Sequence, residues 1–158
     1  MQNTLLLREA RIDELPAIAH HWIAMFEEVG NFHEADFAGD WRERFVRHFT
    51  AEISSGDAAY FVAEDEGRLI GTAGARMTDG YPASIHGVRN GYIFGVHVDP
   101  GYRGRGIARE LTERAVAFLQ TRKPWAIRLH ASRFGRPIYE KMGFTPTNEM
   151  QLHGNRKS

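Results

Sequence analysis

Cysteine is absent from all 158 residues, which excludes disulfides, thiolate-ligated metals and a cysteine nucleophile. No apolar stretch approaches the ~20 residues that a membrane-spanning helix requires, and the early leucine run ends in charge at Arg8 and Glu9. A cytoplasmic location is therefore the expectation, with no membrane partner. An excess of either charge is also missing. Twenty Lys and Arg balance twenty Asp and Glu, so the chain lacks the broad positive field with which nucleic-acid binders gather phosphates, and nucleic acid is not an expected partner. Any anion has to be bound by a local cluster. Internal repeats and low-complexity segments are missing too, apart from a polar tail over 154–158. The 42% hydrophobic and 25% charged content is ordinary for a globular chain. One domain over residues 1–158, with a core of its own, is the expected organisation.

What is present is concentrated in YIFGVHVDPGYRGRGIA, residues 92–108. An apolar strand stops at Asp99-Pro100-Gly101, passes three glycines in a short basic loop, and opens a helix at Ile107 and Ala108. Gly101, Gly104 and Gly106 remove side chains where a ligand could approach the backbone. The first amides of the following helix lack internal partners, and the helix dipole is positive there. With Arg103, Arg105 and Arg109 nearby, this is a place for phosphate oxygens. It fits neither the nucleotide P-loop pattern nor the dinucleotide glycine fingerprint. An RG-rich surface turn is the plain alternative.

Around this stretch the periodicity predicts a first strand at Thr4 to Arg8, then a helix capped by Asp13 with Leu15, Ile18, Trp22, Met25 and Phe26 on one side, ending near Gly30. His20 and His21 on that helix point about 100° apart and read as surface and boundary residues rather than metal ligands. A second helix carries Trp41, Phe45, Phe49 and Ile53. Ala59 to Glu64 and Leu69 to Arg76 form an antiparallel hairpin around Glu66-Gly67. The Gly- and Pro-containing segment before Gly91 reads as a wide turn. Later come the helix from Ile107 to about Gln120, a strand from Trp125 to Ala131, a short helix from Arg136 to Met142 closed by Gly143, and a last strand from Phe144 to Leu152. Strand alternation places Tyr92, Phe94, Val96 and Val98 on one face and His97 on the other.

Arg103-x-x-Gly106-x-Ala108, with Val96 and Val98 upstream, resembles the acetyl-CoA pyrophosphate loop of the GCN5-related N-acetyltransferase family. A second segment, LHASRFGRPIYEKMGF, resembles the family's other signature through Tyr139, Glu140, Gly143 and Phe144. Ser132 stands where many members have an asparagine. The resemblance is clear over residues 59–152 and loose before them. It implies an α/β fold with a mixed, mostly antiparallel central sheet, splayed in the middle and flanked by helices. It also implies an acetyl-CoA-dependent N-acetyltransferase acting on a small-molecule amine, or less readily on a peptide or protein, by direct attack in a ternary complex. A non-catalytic acyl-CoA-binding module of the same fold is the alternative.

By the same resemblance, Val96, Val98, Arg103, Gly104, Arg105, Gly106, Ile107, Ala108 and Ser132 are the cofactor residues; on charge grounds Arg103, Arg105, Arg109 or Arg136 is expected to reach the 3′-phosphate of CoA. Tyr139 is the catalytic candidate, a phenol able to protonate the departing sulphur. Phe32, His33 and Glu34, in the connection between the first two helices, and Tyr92 and Phe94 are candidate substrate contacts. No metal is expected, and a homodimer is compatible with the family. The base that takes the amine's proton is open between His97, His33, Glu34 and a water chain, because Tyr92 occupies the strand position where some members place a glutamate.

Overall fold

The computed structural model describes residues 3–30 and 32–154. Met1, Gln2 and Asn31 lie outside them, as do residues 155–158 of the polar tail. The element order is β1 (Leu6–Glu9), α1 (Leu15–Glu28), α2 (Trp41–Ser54), β2 (Ala58–Asp65), β3 (Arg68–Thr78), β4 (Asn90–Val98), α3 (Ile107–Gln120), β5 (Ile127–Leu129) and α4 (Arg136–Lys141). The sheet runs β1-β2-β3-β4-β5. Its first four strands are antiparallel, β1 meeting β2 across the two intervening helices, whereas β5 returns through α3 and pairs parallel with β4.

Both faces are covered. On one, α3 lays Ile107, Leu111, Ala115 and Leu119 over Ile70, Ala73, Ala75 and Ile93. The other holds α1 and α2, with Leu15, Ile18, Trp41, Phe45 and Phe49 over Tyr60 and Val62. The small residues at positions 71, 73, 74 and 75 of β3 let helices sit close to both sides of the sheet. A Cβ at Gly74 would lie 2.6 Å from the Phe94 ring, so that glycine is required for the aromatic packing.

One device resets β4. Thr72 pairs with His97 while Gly74 pairs with Phe94, so Gly95 and Val96 together oppose Ala73. Gly95 takes φ +62°, the left-handed conformation of a glycine bulge, and its carbonyl accepts from the Thr72 hydroxyl at 2.8 Å. An inserted residue inverts the alternation beyond it. Phe94 therefore faces α1 and α2 with His97, whereas Val96 and Val98 face α3. The single face expected for Tyr92, Phe94, Val96 and Val98 is corrected accordingly, and so is the exclusion of His97 from the Phe94 side.

The strand expected from Phe144 to Leu152 is not formed. Met150 and Leu152 are 94% and 95% exposed, so no apolar face fixes a register, and Pro146 cannot donate to a ladder. The expected Trp125–Ala131 strand shrinks to three residues, pairing with Gly91–Ile93 alone. Asp13 does not cap α1 either. The chain enters through a 3₁₀ turn at Ile12–Glu14, where the Glu14 carboxylate accepts from the Arg11 amide at 2.8 Å.

Candidate active site

β5 leaves β4 after Ile93, so among the described residues Phe94 to Val98 have no partner strand on that side. The Asp99 amide donates to the Ile70 carbonyl at 2.8 Å and Thr72 pairs with His97. By the antiparallel alternation, the backbone groups of Val96 and Val98 therefore point to the open edge. At its end a 3₁₀ turn, Pro100–Tyr102, leads to Gly104 and Gly106, both at φ +78°. Nothing lies within 4 Å of where a Cβ would stand on Gly101, Gly104 or Gly106. The loop surface is bare backbone running into the first amides of α3. These are the features that a pantetheine arm and a diphosphate would need: an unpaired strand edge and unpartnered amides at a helix start. A depression of about 290 Å3 lies between α3 and α4, lined by Arg109, Glu113, Val116, Lys141 and Met142.

The arginines are already engaged. Arg103 turns back, donating from Nε to the Val98 carbonyl at 2.8 Å and from Nη2 to both Glu28 oxygens at 2.8 and 2.6 Å. Arg105 lies over the Tyr102 ring. Arg109 pairs with Glu113 and Arg136 with Glu140, each one helical turn apart and half exposed. Exposed pairs of this kind contribute about 1 kcal/mol or less and exchange readily. If Arg105, Arg109 or Arg136 reaches the 3′-phosphate of CoA, it does so by trading one exposed partner for another. We therefore expect 3′-dephospho-CoA to bind no more than about fivefold more weakly than CoA. Equal dissociation constants at low salt would remove these residues from that role.

Tyr139 is 7% exposed, packed edge-on against Phe144 with Gly135 beneath its ring. A Cβ on Gly135 would stand 2.9 Å from that ring. Burial pushes the phenol up to about 12, so it stays protonated through neutral pH. It is a weaker acid than the free phenol, suited to donating a hydrogen bond to a sulphur anion. Ser132 accepts from the Gly135 amide at 3.1 Å through its hydroxyl, and from the Arg136 amide at 2.9 Å through its carbonyl. The hydroxyl thus holds the start of α4.

The substrate candidates separate. Phe32 packs on Phe26 and Phe37, and Phe94 stacks on Phe49 in the core. Glu34 is paired with Arg42 at 2.7 Å. His33 is exposed in a 3₁₀ turn, its amide bonded to Asp36. Tyr92 borders the β4–β5 junction, its hydroxyl 2.5 Å from His130 Nδ1. His130 escaped the sequence reading. It follows β5 directly, and the parallel register of Tyr92 with Arg128 brings it there. His97 is buried with both nitrogens occupied, Nδ1 at 2.9 Å from His21 Nδ1 and Nε2 at 3.1 Å from Glu28. It offers an incoming amine no lone pair.

Comparison with known proteins agrees with this geometry. Residues 25–144 match the family model described as acetyltransferase (GNAT) family. A mycothiol acetyltransferase from Beutenbergia cavernae is 41% identical over 131 residues, 80% of this chain. The chain spans well under half the length of the mycothiol acetyltransferases it matches, 41% in that case. A GCN5-related N-acetyltransferase from Ralstonia eutropha JMP134 superposes with a TM-score of 0.81 at 30% identity, over 94% of this chain and 97% of its own. A predicted acetyltransferase from Clostridium acetobutylicum, solved with acetyl-CoA, gives 0.83 at 25% identity over 95% and 96%. An open β4 edge, a bare glycine loop at a helix start and a similarity that covers most of the chain lead to one conclusion: the chain belongs to the acetyltransferase (GNAT) family.

Proposed function

We propose that the chain transfers an acetyl group from acetyl-CoA to the amine of a small molecule, by direct attack with both substrates bound. The observation that carries this reading is the β4 edge, where Val96 and the Val98 amide turn backbone without a strand partner among the described residues toward a loop that ends in the bare amides of α3, the Val98 carbonyl being held by Arg103. Relatives named for mycothiol and for glucosamine 6-phosphate support a small-molecule acceptor.

Acetyl-CoA supplies an acetyl thioester. The chain's part begins with backbone groups of Val96 and Val98 that bind an amide-bearing arm as an added strand would. Around the Gly95 bulge, a β4 amide without a strand partner can receive the negative charge that develops on the thioester oxygen. Tyr139 donates its hydroxyl proton toward the sulphur as the carbon–sulphur bond breaks. The proton lost by the amine passes to His130, oriented by the Tyr92 hydroxyl at 2.5 Å. Water reaches this exposed ring, so replacing it should cost less than the 100-fold or more of a sequestered base. His130→Gln is expected to lower kcat/KM on the order of tenfold at neutral pH, with the deficit shrinking as rising pH deprotonates the amine itself. A deficit independent of pH would remove His130 from proton transfer.

A panel of small amines assayed for CoA release, beside calorimetry with acetyl-CoA alone, tests the function. Heat of binding together with amine-dependent thiol release is expected. Binding with no release from any amine would indicate the non-catalytic acyl-CoA-binding module instead.

A further inference from the structure

We propose that His21 and His97 share one proton, held on His97 as an imidazolium between His21 and Glu28, and that this buried cation positions Arg103 at the head of the glycine loop. The two rings meet where α1 crosses β4, 4% and 6% exposed. Their Nδ1 atoms are 2.9 Å apart and the ring centres 5.1 Å. The excess of about 2.2 Å is taken up by the two ring radii, so the nitrogens face each other nearly head-on at a hydrogen-bond distance.

Hydrogen-bond bookkeeping fixes the rest. His21 Nε2 lies 3.1 Å from the Leu69 carbonyl, which can only accept, so that nitrogen carries a hydrogen. His97 Nε2 lies 3.1 Å from Glu28 Oε1. Burial raises the Glu28 carboxyl, but hydrogen bonds from His97 and Arg103 outweigh it and hold the group below its usual range. Glu28 is thus ionised and can only accept, so His97 Nε2 also carries a hydrogen. Two neutral rings would then press two lone pairs together at 2.9 Å. One additional proton turns that repulsion into an N–H···N bond and gives the pair a single positive charge. The charge belongs on His97, whose Nε2 faces the Glu28 carboxylate at 3.1 Å, whereas His21 Nε2 faces only the neutral Leu69 carbonyl.

The surroundings suit a cation. Asp99 Oδ1 is 3.7 Å from His21 Nδ1, and its other oxygen accepts from Arg68 at 3.1 Å. Glu28 faces the pair from the end of α1, with Arg103 on its far side, and His20 stands exposed on the same helix. His21, His97 and Asp99 could also surround a metal ion. A metal, however, needs lone pairs that converge on a point to one side, whereas these nitrogens face each other along one line. The proton fits and the metal does not.

His97 is therefore the positioning residue: it holds Glu28, which together with the Val98 carbonyl holds Arg103. Removing the proton restores the lone-pair clash and leaves Glu28 with a neutral N–H donor in place of a cation, which weakens its hold. The end of α1 and the Arg103 side chain then loosen together. The effect on CoA rests on the proposed cofactor role of this loop, whereas the shared proton does not.

The test begins on the free protein. Long-range 1H–15N spectra at neutral pH should show both His97 nitrogens protonated and His21 protonated at Nε2 alone. Relative to an exposed arginine at the same pH, the Arg103 Nε–H should be protected from exchange, and that protection should fall in His97→Gln and at alkaline pH. Two neutral rings, or stoichiometric zinc binding that shifts both Nδ1 signals, would overturn the shared proton. An Arg103 signal indifferent to pH and to His97→Gln would overturn the positioning. Calorimetry with CoA then compares the protein with His97→Gln from pH 6 to 9. Titration of the phosphates is common to both, so an additional loss of about fivefold at high pH, confined to the unsubstituted protein, is the expected mark of coupling. Parallel profiles would contradict that coupling. Failure of CoA to bind either protein would count against the cofactor reading, and the spectra would still decide the proton.

Discussion

Gly106→Val should abolish measurable acetyl-CoA binding while leaving a folded protein. Gly106 sits at φ +78° immediately before α3, with nothing within 4 Å of its missing Cβ. An added Cβ contacts none of the described residues beyond its chain neighbours, so a side chain there projects toward whatever approaches from outside. The left-handed backbone makes an L-residue cost roughly 1–2 kcal/mol, which lowers the melting point by several degrees without unfolding the chain. A matched control separates strain from sterics. Gly67, in the β2–β3 turn, has φ +79° and equally open space, so Gly67→Val carries the same strain away from the loop. Calorimetry should find unchanged affinity in Gly67→Val and an affinity at least about 100-fold weaker in Gly106→Val, near the whole contribution of a diphosphate seated on bare amides. Equal affinity in the two variants would show that the diphosphate does not sit on this loop.

Tyr139→Phe is expected to keep acetyl-CoA affinity and lose turnover. The ring packs between Gly135 and Phe144, and phenylalanine preserves that packing. Only the hydroxyl is lost, and no side chain among the described residues hydrogen-bonds it. Because burial holds the phenol near 12, the unsubstituted protein keeps its proton at every pH below that value. Activity attributable to Tyr139 should therefore be flat through neutrality and fall only in strong alkali. Acid assistance to the sulphur is worth on the order of 100-fold or more in kcat. The deficit should shrink with a thioester whose thiolate is a better leaving group, since a less basic sulphur needs the donor less. A variant within about twofold of the parent on every donor, far inside the range for acid catalysis, would make Tyr139 a packing residue.

Where the chemistry is local in sequence, the chain was readable. The α3 face, the β2–β3 turn and the glycine loop follow from spacing, because each depends on neighbours within a turn or two. The bulge at Gly95 was less so. A glycine inside an apolar strand is a hint, but which residue it pushes across the sheet depends on the partner register, here Thr72 against His97. The same limit hid the two histidine sites. His21 and His97 are 76 positions apart, and Tyr92 and His130 are 38 apart, so only the folded sheet brings either pair together. The final strand failed for the opposite reason. Phe144 to Leu152 carries Pro146, Asn148 and Glu149, which strands disfavour, and no sheet face buries Met150 or Leu152.

On the proposed reading the open edge of β4 and the loop before α3 together bind the acyl donor, and a crystal structure of this chain with CoA decides whether they do. The predicted result is a pantetheine arm hydrogen-bonded to the backbone of Val96 and Val98, with the diphosphate on the amides of 104–108 and the sulphur within reach of the Tyr139 hydroxyl. CoA bound on another surface, with β4 bare from Phe94 to Val98, would contradict the account.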